Sequence, residues 1–205
     1  MTLTLYHHAV STCSVKARFA LAEKNLDIPT VNLDFFKNEQ RSPEYLKINS
    51  LGTAPSLVLD DGTAITESVA ICRYLNDLHP DPPLFGTDAL SRAQVEMWSR
   101  RIELELSLPC AAVVQHTVDF FADKITQVSA YADAQRAHAA QRFRWLNNEM
   151  ADGRDFIAGD AYSMADIIAI TAVSLAKMMK IGIAEDLTNV HGWHERVAAR
   201  PSFSA

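Results

Sequence analysis

The sequence predicts two domains of different class: an α/β domain of order βαβαββα over residues 1–80 and, after a linker over 81–88, an all-α domain over 89–205. Three observations carry this. Strand-like runs alternate with helical stretches only before residue 80. The segment His79-Pro80-Asp81-Pro82-Pro83 is too rich in proline to continue a helix. Beyond it, apolar residues recur at helical spacing almost to the end.

Taken in order, residues 3–6 form a short, partly alternating strand, and a helix follows through Val15, Phe19, Ala20 and Leu21 with Ser11 or Thr12 as its cap. A second strand falls at 31–34. Ser42-Pro43-Glu44 sets a cap before a proline at the first helical position. Strands at 56–60 and 63–66 are joined by Asp61-Gly62, a hairpin turn, and Glu67-Ser68 opens the next helix. In the second domain, residues 89–122 form one or two helices kinked at Pro109. Residues 136–149 carry helical spacing, and 164–180 are apolar nearly all round, as a central helix should be. Ser163 and Asp166 form a capping box, with Tyr162 stapled onto Ile167.

Two local patterns carry chemistry. In Gly52-Thr53-Ala54-Pro55 the Ala54-Pro55 bond is a candidate cis bond, which would turn the Ala54 N–H and C=O outward to pair with a peptide-like ligand. The following hairpin delivers Glu67 and Ser68 to the same sheet end, where Glu67 takes an ammonium. Ser68 and the free N–H groups of its helix take a carboxylate. The expected ligand is a small peptide with an amino-acid head group, against the plainer alternative of a Pro-started strand and a capped helix. Ser11 and Cys13 stand where another helix end favours an anion, for which a thiolate is the candidate. Ionising a thiol of pKa about 8.5 at neutral pH takes roughly two units, about 2.7 kcal/mol, within reach of one charge-assisted hydroxyl bond plus a helix end. The alternatives are a plain cap and a small helix residue.

With Ser-Thr-Cys-Ser-Val-Lys-Ala-Arg at 11–18, residues 49–55, Thr66-Glu67-Ser68-Val69-Ala70-Ile71, Ser163-Met164-Ala165-Asp166-Ile167 and residues 193–201, the chain resembles a glutathione S-transferase over nearly its whole length. The resemblance implies a thioredoxin-like glutathione-binding domain, an all-helical second domain, a homodimer, and conjugation of the glutathione thiol to hydrophobic electrophiles. It implies that Thr53, Ala54 and Pro55 present the backbone to glutathione, that Glu67 and Ser68 hold its γ-glutamyl group, and that Lys37 and Gln40 lie near its glycyl carboxylate. Ser11 matches the serine of the theta- and zeta-like classes, and Cys13 matches the cysteine of the bacterial beta class. Residues 96–106 resemble a bacterial and fungal subgroup whose polar groups on this helix hold an activating water, which makes Glu105 and His116 further catalytic candidates. That subgroup carries a hydroxyl where this chain has Ala111. Val10, Leu108, Ala112 and His116 are the expected electrophile contacts, with Met178 and Met179 as further candidates. The dimer implied by the family would bring residues 68–78 of one copy near residues 92–105 of the other, where Arg100, Arg101, Glu103 and Glu105 could pair across it. Glutathione is a co-substrate in this reading, and no cofactor or metal is expected. The alternatives are a Cys13-dependent thiol–disulfide oxidoreductase or peroxidase, a zeta-like isomerase, and a non-catalytic glutathione-binding protein.

Composition sets the outer limits. At 205 residues and 48% hydrophobic, the chain can bury one sizeable core or two small ones. No apolar run of about 18 residues and no signal-like N-terminus are present, so a cytoplasmic protein with no membrane partner is expected. A net charge of -6 argues against a nucleic-acid partner. Three unpatterned cysteines argue against a disulfide framework or a zinc site.

Overall fold

A computed structural model describes residues 3–204. The chain divides into two compact units, Met1–Leu84 with Pro201–Ala205, and Phe85–Arg200. The first contains β1 (Thr4–His7), α1 (Thr12–Glu23), β2 (Thr30–Asn32), two 3-10 turns (Phe35–Lys37 and Glu39–Arg41), α2 (Pro43–Leu46), β3 (Ser56–Val58), β4 (Ala64–Thr66) and α3 (Ser68–Leu78). This is the expected βαβαββα order. The sheet runs β2-β1-β3-β4, with β1 parallel to β2 and the other two pairs antiparallel.

The register explains the core. Leu5 pairs with Leu57, and Leu57 with Ile65, so one row of side chains crosses three strands on a single face. Ala17 and Leu21 of α1 and Ile71 and Leu75 of α3, each pair one helical turn apart, pack against Leu5 and Leu57. Cutting Leu57, which is fully buried, to alanine would cost about 2–5 kcal/mol. The hairpin turn is closed by Gly62 N–H on Leu59 C=O (3.0 Å) and Leu59 N–H on Thr63 C=O (2.9 Å). Gly62 takes φ +85°, a conformation glycine adopts without steric penalty.

The second unit is helical: α4 (Ala89–Ile102), α5 (Leu108–Thr117), α6 (Ser129–Glu149), α7 (Met164–Met178) and α8 (Thr188–Ala198). The kink expected at Pro109 is a π-helical segment, Glu103–Ser107, in which Leu108 N–H reaches back five residues to Glu103 C=O. Pro109 has no N–H to give to the Glu105 carbonyl, and a locally widened turn absorbs the lost bond. Helix α6 starts seven residues before the expected 136, because Ser129–Gln135 alternates alanine with larger residues and shows no helical spacing of large apolar side chains. Helix α7 ends at Met178, two residues short of the expectation, with Lys180 at φ +53° just beyond it. The terminal turn Pro201–Ser204 returns to the first unit. There Phe203 packs its ring 6.1 Å from Phe19, and the Ser202 hydroxyl donates to Glu23.

Candidate functional site

The strand directions gather the candidate residues of the first unit at one end of its sheet. Tyr6 pairs with Ser56, and Ser56 with Thr66. The exits of β1 and β4 therefore flank the entry of β3, and the exit of parallel β2 lies on the same side. Beyond those ends come Ser11 to Cys13, the Lys37 to Gln40 turns, Thr53 to Pro55, and Glu67 with Ser68. Residues up to 57 positions apart in sequence share one edge.

Ser11 occupies the N-cap of α1 with extended backbone (φ -69°, ψ 122°), but its side chain makes no capping bond, contrary to the plain-cap alternative. Its own N–H closes a turn onto His8 C=O at 3.2 Å. Cys13, in the first turn of α1, is a free and exposed thiol. Burial pushes the thiols of Cys72 and Cys110 up to about 12, so neither is a usable nucleophile at neutral pH. Burial, with a further contribution from Arg18, lowers the pKa of His7, whose Nδ1 lies 3.4 Å from Arg18 Nη1. The His8 ring stacks on Phe35 with centroids 4.2 Å apart.

The Ala54–Pro55 bond is cis, as expected at that position. The turn before it is held from beneath. Tyr45 Oη donates to Thr53 C=O at 2.6 Å and shares a 2.8 Å bond with Ser56 Oγ, while Asn49 Nδ2 donates to the same carbonyl (2.8 Å) and to Thr53 Oγ1 (3.1 Å). Burial raises the Tyr45 pKa and keeps it a neutral donor. Gly52, at φ +58°, sits so close to Gln40 C=O and the Arg41 side chain that an added Cβ would fall 2.8 Å from each. Glu67, at the N-cap of α3, takes φ +66° and ψ 117°, a conformation costing a non-glycine residue roughly 1–3 kcal/mol. Its side chain is exposed, and Ser68 beside it is buried. Lys37 pairs with Asp34 at 3.2 Å in solvent. Gln40 is buried, with Oε1 lacking a hydrogen-bond partner among the described residues.

The two polar candidates of the second unit have partners nearby. Glu105, in the π-helical segment, pairs with Arg142 Nε at 2.6 Å and lies 3.5 Å from His138 Nε2. His116 accepts a 3.0 Å bond from Val128 N–H at Nδ1 and meets the Tyr131 ring edge-on at 5.0 Å. Eleven residues of helix separate the two, about 16 Å of axial rise, so they remain alternatives and not one site. Leu108 is exposed and Ala112 half-buried. The charges expected to pair between copies also have partners within this one: Arg100 with Glu103, Arg101 with Glu149 (4.0 Å), and Glu105 with Arg142. Among the described residues no group of three His, Cys, Asp or Glu is arranged to hold a metal ion, and no helix is long and apolar enough to cross a membrane.

Comparison with known proteins decides what this edge belongs to. Residues 1–77 match the glutathione S-transferase N-terminal domain family and residues 110–201 its C-terminal domain family. The chain belongs to the glutathione S-transferase family. It is 31% identical to glutathione S-transferase 2 of Saccharomyces cerevisiae over 98% of this chain and 87% of that protein. A glutathione S-transferase domain-containing protein of Marinobacter aquaeolei superposes with a TM-score of 0.92 at 32% identity, covering 97% of this chain and 98% of that one. Maleylacetoacetate isomerase of Pseudomonas aeruginosa is 37% identical, but over 45% of this chain and 44% of its own length. This transferase therefore has an enzyme's ancestry along its whole length. Sequence reasoning missed the residues beneath the edge, Tyr45 and Asn49, and those behind the Ser11 loop, Arg18 and Asn32. Asn49 and Arg18 lay inside the resembling motifs, yet only their neighbours in space reveal what they hold.

Proposed function

We propose that this transferase ionises the thiol of glutathione at the Ser11 end of α1 and adds the sulfur to a hydrophobic electrophile. The observation that carries the reading is the strand register, which brings the α1 N-terminus, the Ala54 peptide and the Glu67–Ser68 helix end to one sheet edge. In this reading Glu67 neutralises the ligand's ammonium, and Ser68 with the first N–H groups of α3 receives its α-carboxylate. The Ala54 N–H and C=O pair with the cysteinyl backbone. The strained Glu67 backbone supports this assignment, since such strain clusters at ligand-binding sites. Lys37 and Gln40 are the proposed neighbours of the glycyl carboxylate.

The thiol loses its proton to solvent as the Ser11 hydroxyl and the helix end stabilise the sulfur anion. The thiolate then attacks the electrophilic carbon, a C–S bond forms, and the leaving group departs with its electron pair. Preorganised donors and proximity supply the rate. Val10, 78% exposed at the corner of the loop, is an apolar surface offered to the electrophile. A second reading rests on Cys13. Its exposed thiol in a first helical turn suits attack on a glutathione disulfide, which forms a mixed disulfide on Cys13 and releases one glutathione thiolate.

Calorimetric titration with glutathione, followed by an electrophile panel beside a disulfide-reduction assay, separates the readings. Binding with conjugation supports the first, disulfide reduction without conjugation the second, and binding with neither a non-catalytic role. A two-fold dimer in the cytoplasm completes the proposal. Sizing at micromolar concentration should give twice the chain mass, and a concentration-independent monomer would refute it.

A further inference from the structure

The loop that carries Ser11 is held by its backbone, group by group. His7 C=O accepts from Leu33 N–H at 2.7 Å, and His8 C=O accepts from Ser11 N–H at 3.2 Å. His8 N–H donates to Ser14 Oγ at 3.1 Å. Ala9 N–H donates to Asn32 Oδ1 at 3.0 Å, and Ala9 C=O accepts from Arg18 Nη1 at 2.9 Å. Ser14 and Arg18 are one helical turn apart and so lie on one face of α1. Asn32 is the last residue of β2, an edge strand. From His7 C=O to Ala9 C=O every backbone polar group has a partner, and Ser11 follows two residues later.

We infer that Arg18 and Asn32 are positioning residues for thiolate formation. Together they grip the Ala9 residue from its N–H and its C=O and so fix where the Ser11 hydroxyl and the first turn of α1 stand. Neither is proposed to touch glutathione or the electrophile. The inference rests on the glutathione-transfer reading and extends it to the loop behind the reacting sulfur. Its physical basis is that stabilisation of a developing charge depends on donors already in place, and a displacement of about 1 Å can cost up to 100-fold in rate. The two side chains hold one residue, so losing either frees the same loop.

Asn32→Leu tests this cleanly, because it removes the acceptor without changing charge at an exposed position. The thiol pKa of bound glutathione, followed by thiolate absorbance against pH, should rise. The kcat with 1-chloro-2,4-dinitrobenzene should fall about 10-fold, while glutathione affinity changes by less than about threefold. Arg18→Met should do the same, Arg18→Lys should recover most of the loss, and Asn32→Leu with Arg18→Met should cost little more than either alone. Wild-type thiol pKa and kcat in Asn32→Leu would overturn the inference, as would full additivity in the double variant. If Asn32→Leu fails to fold, the comparison of Arg18→Met with Arg18→Lys decides, and equal activity in those two overturns it. Loss of turnover in Ser11→Ala beside unchanged Asn32→Leu would leave the transfer reading standing without the clamp. A wild-type chain with no affinity for glutathione would remove both.

Discussion

Ser11 and Cys13 offer the same helix end two different chemistries, and the proposed reading uses the Ser11 hydroxyl as the donor to a bound thiolate. A serine at an N-cap normally spends its oxygen on a backbone N–H, and here that bond is absent. A hydroxyl bond to a charged partner contributes roughly 1.5–3 kcal/mol, so Ser11→Ala should lower conjugation by about 10- to 100-fold with little change in glutathione affinity. Cys13→Ala should leave conjugation nearly intact, and steady-state kinetics on the two variants check the order. Abolished turnover in Cys13→Ala would reverse it. Glu67 is tested by affinity instead. Glu67→Gln keeps the shape and backbone conformation but removes the charge, and should weaken glutathione binding by roughly 2–3 kcal/mol, read by calorimetry. Unchanged affinity would place the ammonium elsewhere. These residues were legible in the sequence because each belongs to a pattern complete within a few positions: a cap before a helix, a proline before a strand, an acid and a serine at a helix start. Asn32 was not legible, since its partner Ala9 lies 23 residues away and only the β1–β2 register brings them together.

Helix α7 shows the same contrast one level up. The spacing of Ser163 and Asp166 announced a capping box, and Ser163 N–H does donate to Asp166 Oδ2 at 2.9 Å, with the hydroxyl on the same oxygen at 3.0 Å. The spacing gave no sign of the other oxygen, which accepts from Ile157 N–H at 2.9 Å and from Trp193 Nε1 at 2.8 Å. Asp166 is therefore a junction of three segments, fully buried with Trp193. Burial raises its pKa, and the four donors pull the other way. Asp166→Ala would strand all four donors and should cost about 3–5 kcal/mol. Asp166→Asn keeps one accepting oxygen but sets an amide N–H group against the Ser163 or Ile157 donors, so it should recover only part. Urea unfolding of both variants measures this, and a loss below about 1 kcal/mol in Asp166→Ala would show that solvent replaces the carboxylate. Elsewhere the legibility of elements followed their periodicity. The apolar rows of α1 and α7 were read within a few residues and Pro109 marked the place of a kink, whereas the start of α6 and the π-helical form of that kink depend on backbone bonds that periodicity does not encode.

Across the whole molecule, the division into an α/β unit and a helical unit was readable from the sequence pattern, because a proline cluster separates a region of mixed period from one of helical period. The pairing of its charges was not. Arg101 and Glu105 have partners within the chain, Glu149 and Arg142, which lie 48 and 37 residues away. The chain passes between the units twice, and within the first unit both flanking segments are fastened to the C-terminal end of α1. Glu23 accepts from Ser202 of the returning turn. Its neighbour Lys24 is buried, and its Nζ donates to Asn76 Oδ1 (3.1 Å), His79 C=O (2.7 Å) and Pro82 C=O (2.8 Å), while the same Asn76 oxygen accepts from Leu84 N–H at 3.0 Å. All three protons of the ammonium are thus used, which offsets the desolvation that lowers its pKa. Lys24→Met keeps the hydrocarbon stem but leaves two carbonyls without a donor, at about 2–3 kcal/mol. For a chain of this size that is a fall of roughly 5–10 °C in the thermal midpoint. Lys24→Arg should not rescue it, because a planar guanidinium cannot reproduce three bonds radiating from one nitrogen. A thermal scan of both variants settles the matter: an unchanged midpoint in Lys24→Met would mean that the linker is held by its own proline-rich backbone and not by the end of α1.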